Sequence, residues 1–114
     1  MLKKSVVSLL AALCLTLLLS GVAMAKEIIV INGTDFNLTG MAMSPSATSE
    51  WGEDFLASDV LRPGEGLRIT INASNIAWDL GVVDDEGVQL NFEGLDLSRV
   101  SKITLHSDGT ADLE

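Results

Sequence analysis

Apolar residues in this chain fall into one long run followed by a series of short alternating segments. The run spans Val6 to Leu19 and is interrupted only by Ser8 and Thr16. Lys3 and Lys4 precede it, and Ala23-Met24-Ala25 closes it with small residues at the two recognition positions. A positive start, an apolar middle and a small-residue end are the pattern of a secretory signal peptide, here cut before Lys26. The run is too short and wrongly flanked for a membrane anchor. The expected organisation is therefore a signal peptide over residues 1–25 and one mature domain over 26–114. That domain has about 89 residues. It is expected in the periplasm or outside the cell, without a membrane anchor.

Beyond the leader the dominant period is two, which predicts strands. Glu27-Ile28-Ile29-Val30-Ile31 is β-branched and apolar on both sides, so it suits a strand covered on both faces or at its start. Asn32-Gly33 marks a turn. Phe36 to Ser44 reads as a second strand with Phe36 and Leu38 on one face. Its later apolar positions, Met41 and Met43, lie out of phase with those two, which predicts a bulge at Thr39-Gly40. Ser44 to Ser49 reads as a loop. Trp51 and Phe55 are four apart, so a short helical turn over Trp51 to Leu56 would put both rings on one side, plugging an end of the core.

Arg62-Pro63-Gly64-Glu65-Gly66 is a tight turn. Leu67, Ile69 and Ile71 then alternate with polar residues, and so do Trp78, Leu80 and Val82, and Val88, Leu90 and Phe92. Asp84-Asp85-Glu86-Gly87 joins the last two segments as a hairpin, with Gly87 placed for the left-handed conformation. Val100 to Leu105 reads as a sixth strand, and Asp108-Gly109 turns the chain into a short seventh. Six or seven short strands without a crossover helix predict an all-β fold, a small antiparallel β-sandwich, with a small β-barrel as the alternative.

The order of these elements resembles an uncharacterised group of small secreted bacterial proteins. The residues that carry the likeness are Asn37-Leu38-Thr39-Gly40, Ser44-Pro45-Ser46, Trp51-Gly52-Glu53-Asp54-Phe55-Leu56, Leu61-Arg62-Pro63-Gly64, Trp78-Asp79-Leu80 and Asp84-Asp85-Glu86-Gly87. The resemblance implies export and a small β fold, and it implies no activity. That group often has an aromatic residue before the Ser-Pro loop and an Arg after Trp-Asp-Leu. This chain has Met41-Ala42-Met43 and Gly81 there.

Charge narrows the partners. All sixteen acidic residues follow Ala25, but only five of the seven basic ones do: Lys26, Arg62, Arg68, Arg99 and Lys102. Five against sixteen leaves the mature chain at −11. Too few cations remain to neutralise phosphates, so no nucleic-acid partner is expected, and an anionic membrane surface would repel the domain. Cys14, the only cysteine, lies in the leader behind a bulky Leu13 that spoils a lipoprotein cut. The mature domain then has neither disulfides nor thiolate chemistry.

Candidate chemistry is sparse. His106 is the only histidine. Ser101, Ser107 and Asp108 lie near it in sequence, but strand neighbours point to opposite faces and signal no triad or oxyanion hole. Zinc lacks ligands. Calcium is the sharper metal expectation, with Asp84, Asp85 and Glu86 at one hairpin tip and Asp79 or Asp54 joining from elsewhere. A sugar platform is the other, using Trp51 edged by Asp54. Both tryptophans are expected in the core, Trp78 by its phase and Trp51 through Phe55, with Asp54 or Asp79 accepting an indole N–H. The glycosylation-like triplets beginning at Asn32, Asn37 and Asn72 read as chance matches in a bacterial export product. The expected protein is a non-catalytic interaction or accessory module, not an enzyme, with a protein partner and a monomeric or weakly dimeric state. The alternative is a calcium- or carbohydrate-binding module.

Overall fold

In the computed structural model, residues 25–48 and 50–114 are described. The expected signal peptide falls on residues 1–24, outside them, apart from Ala25. Among the described residues seven strands form: β1 (Ala25–Asn32), β2 (Leu38–Pro45), β3 (Gly66–Asn72), β4 (Ala77–Asp84), β5 (Gln89–Asp96), β6 (Lys102–Leu105) and β7 (Ala111–Leu113). They make two sheets, a four-stranded one in the order β3-β1-β6-β7 and a three-stranded one in the order β2-β4-β5. The architecture is a small all-β sandwich. It is not wholly antiparallel: β1 and β6 pair in parallel, with Ile29 opposite Lys102 and Asn32 opposite Leu105. Every other ladder is antiparallel.

The period of two decides which side chains meet between the sheets. Ile28 and Val30 of β1, Ile69 and Ile71 of β3, and Ile103 and Leu105 of β6 are buried. They share one core cluster with Leu38, Met41 and Met43 of β2, Trp78, Leu80 and Val82 of β4, and Phe92 of β5. Leu56, Leu61, Leu97 and Val100 come from connecting segments and complete that cluster. Ile29 and Ile31 point outward and are only half-buried, so β1 is covered fully on one face alone.

The predicted bulge in β2 is present. The β2–β4 register shifts between Leu38 and Gly40, which returns Met41 and Met43 to the face already used by Leu38. A second irregularity lies between β4 and β5 at Asp79, where Gly94 takes φ +67° and donates its N–H to the Asp79 carboxylate at 2.9 Å. Gly87 and Gly109 hold the two hairpin turns at φ +84° and +89°, a conformation that costs glycine little and other residues more.

Three expectations are corrected. Trp51 to Leu56 is not helical; it runs as an irregular strap beside β2. Gly52 N–H donates to Met43 O and Phe55 N–H to Met41 O, so the strap occupies an edge that would otherwise be free to pair with another chain. Phe36 precedes β2 instead of starting it, and is 44% exposed. Val88 is 59% exposed although its phase matches Leu90 and Phe92, because β5 begins only at Gln89.

Asn32 ends β1 with a fully buried side chain. Its Nδ2 donates to Phe36 O at 2.8 Å and to Leu61 O at 2.9 Å, while Oδ1 accepts from Thr34 N–H at 2.9 Å and from the Thr34 hydroxyl. Its backbone N–H donates to Glu65 O and its carbonyl accepts from Gly64 N–H. Because Leu61 in turn bridges to Leu38, this one amide joins the four-stranded sheet to the start of β2. Asn32→Ala should lower stability by about 3 kcal/mol, since it removes several bonds and leaves buried partners unsatisfied. Asn32→Asp should not rescue it, because a carboxylate cannot donate to two carbonyls. Urea unfolding measures both, and a loss below about 1 kcal/mol for the alanine variant would refute the assignment.

Candidate functional site

The end of the sandwich where β1 finishes is incompletely closed. Besides the 61–65 segment bonded to Asn32, three connections meet there: residues 33–37 between β1 and β2, the β4–β5 hairpin tip, and the β6–β7 hairpin. Between them lies a cleft of about 290 Å³. Leu38, Val82 and Leu90 form its apolar interior, and Phe36 and Val88 are the exposed apolar residues in its wall. Thr34, Ser107, Asp84 and Glu86 supply the polar lining. Phe36 and Val88 stand clear of the sheets because β2 and β5 begin only at Leu38 and Gln89.

Its polar groups are held in place. Asp84 Oδ1 accepts the N–H groups of Glu86 and Val88, each at 2.9 Å, which fixes the hairpin tip. Asp85 N–H donates to Asn37 O, and Asn37 Nδ2 donates to Asp85 Oδ2 at 3.2 Å, tying the tip to the β1–β2 connection. Ser107 Oγ accepts Asp35 N–H at 3.0 Å, tying the β6–β7 hairpin to the same connection. Asp84, Asp85 and Glu86, the expected calcium ligands, are thus neighbours in one turn but spend their oxygens differently. Among the described residues no three His, Asp, Glu or Cys side chains converge as a metal cage.

A second feature lies on the outer face of the three-stranded sheet. Trp51 is 44% exposed, which corrects the expectation that it caps the core. Its ring lies on Gly81: a Cβ there would stand 3.1 Å from Trp51 Cη2. Gly40, Ala42 and Gly81 leave a shallow trough beside the ring, rimmed by Asp54 and Gln89. Trp78 is buried as expected, but its indole N–H donates to Asn75 O at 3.2 Å and to neither aspartate.

Asp54 is a clamp. Its Oδ1 accepts from Met41 N–H and Leu56 N–H, both at 3.0 Å, and so pins the strap to β2. The Met41 N–H holds its carboxyl below the usual carboxylate range, Leu56 and Ala57 add to this, and desolvation opposes it. Asp79 Oδ1 is similarly engaged by Ser46 Oγ and Gly94 N–H. Elsewhere, His106 Nε2 lies 2.9 Å from Asp112 Oδ2, and both residues flank the β6–β7 turn.

Comparison with protein-family models, with curated proteins and with solved structures returns no match.

The clamp has a pH signature. A lowered folded pKa means the stabilisation is complete above the ordinary value of 3.8 and is lost as pH falls through the folded value. Asp54→Asn should therefore melt below the wild type at neutral pH, and the gap should shrink on acidification to about pH 2.5. A gap of constant size in thermal melts would mean that the charge of the carboxylate contributes nothing.

Proposed function

We propose that this protein is a non-catalytic binding module, acting outside the cytoplasm, that seats an apolar group of a partner protein in the cleft between its sheets. The cleft carries the reading: an apolar interior with a few fixed polar groups, near the lower end of the size range of small-ligand sites. A phenyl or isobutyl side chain fits within it and matches its apolar interior. The export signal in the leader supports the location. The connections around the cleft are cross-tied by Asn37–Asp85 and Asp35–Ser107, so little ordering entropy remains to be lost on binding.

The test is an amide NMR titration of the protein with benzyl alcohol as an apolar probe. Shifts should concentrate at residues 34–38, 82–90 and 107. Phe36→Ser removes a half-exposed wall of the cleft and should weaken the probe about fivefold without unfolding the domain. Shifts scattered over the whole surface, unaffected by that substitution, would defeat the reading.

The exposure of Trp51 over Gly81 favours a second reading, a glycan platform. On that reading a soluble β-glucan oligosaccharide should change the tryptophan emission of the wild type and leave that of Trp51→Phe unchanged, since Trp78 is buried. An unchanged wild-type spectrum at saturating oligosaccharide would remove this alternative.

A further inference from the structure

The charge around the cleft specifies more about the occupant than its size does. Two carboxylates line the cleft, Asp84 and Glu86, and among the described residues no lysine or arginine does. Asp35 and Asp85 stand in the two connections beside it. Four of the described cations lie away from this end. Lys26 Nζ donates to Leu97 O, at the opposite end of the sandwich, and Arg99 lies near Asp96 at that same end. Arg68 stands beside Glu27 and Lys102 beside Glu114, on the outer face of the four-stranded sheet. Arg62 sits at the cleft's end of the sandwich, beside Leu61, but outside the lining, and its backbone N–H donates to Glu65 Oε1. The Glu86 carboxylate has no hydrogen-bond or ion-pair partner among the described residues. An apolar cleft edged by unneutralised carboxylates attracts one class of occupant and repels another.

Resting on the cleft reading above, we infer that the partner segment is basic: it presents one bulky apolar side chain to the cleft and flanks it with Lys or Arg. The apolar side chain replaces water against Leu38, Val82 and Leu90. The flanking cations meet Glu86 and the free oxygen of Asp84, whose other oxygen is committed to the turn. An acidic segment of the same shape would bring like charges together at the rim. Charge of this kind contributes chiefly to partner choice and to encounter rate, and it is screened by salt.

Three blocked tripeptides separate charge from shape: acetyl-Lys-Phe-Lys-amide, acetyl-Gly-Phe-Gly-amide and acetyl-Glu-Phe-Glu-amide, each titrated into the labelled protein and followed at the cleft resonances. The basic peptide should bind about tenfold more tightly than the acidic one, with the neutral peptide between them. Glu86→Gln should narrow the span, and so should raising the ionic strength to about 1 M, where the screening length falls to about 3 Å. Equal affinity for all three peptides would overturn the charge inference and leave the cleft reading standing. No cleft shifts with any of them would overturn both. Shifts of the same resonances on raising the protein concentration alone would assign the cleft to a second copy of this chain and overturn the inference.

Discussion

The buried side chain of Asn32 is the constraint on which the rest of this structure depends. A sandwich needs its two sheets held in one relative position, and hydrophobic packing alone is non-directional. The Asn32 amide supplies direction. Through Phe36 O, Leu61 O and Thr34 it sets where the chain leaves the four-stranded sheet and where it enters the three-stranded one. Gly33 follows because nothing larger fits: a Cβ there would stand 2.6 Å from Leu105 O. The exit angle of residues 33–37 in turn places Phe36 and Thr34, so the shape of the cleft is inherited from a hydrogen-bond hub several residues away.

Much of the fold was legible because alternation is a local signal. The bulge in β2 could be read from the phase change between Leu38 and Met41, and the hairpins from Gly87 and Gly109. The failures share one physical cause, which is that the deciding partner is remote in sequence. Trp51 and Phe55 at a spacing of four satisfy a helical turn equally well as an extended strap. What selects the strap is the pair of free carbonyls on β2, together with the Asp54 clamp. The position of the Trp51 ring is decided by the missing side chain at Gly81. The parallel pairing of β1 with β6 has no local mark at all.

The candidate site was the least legible part. Asp84, Asp85 and Glu86 stand out in the sequence as a run of charge, and their closeness suggested a cation. The structure gives Asp84 to the turn and ties Asp85 to Asn37. Phe36, Val88 and Leu90 read as core in the sequence, because apolar residues in phase with a strand are expected to be buried. One signal was available: Phe36 and Val88 each sit at the outermost apolar position of a segment, beside a turn, where a sandwich has an open end. The Trp51 trough has the same character, since the small side chains at Gly40, Ala42 and Gly81 read as turn or packing residues until they are seen side by side.

The parallel β1–β6 ladder bears on how the chain reaches this state. β1 is an interior strand, yet it is the first of the described strands, and its two neighbours are supplied at residues 66–72 and 102–105. A chain emerging from its N-terminal end must carry Ile28 to Ile31 unpaired until β3 is made, and with one edge still open until β6 is. Pairings this distant favour slow folding, because loop closure is paid before the contacts form. During that interval the most β-prone segment of the chain is exposed to pairing with other molecules. The late strand β6 therefore acts as the latch of the fold, and the hazard it ends is aggregation by the strand at the other end of the chain.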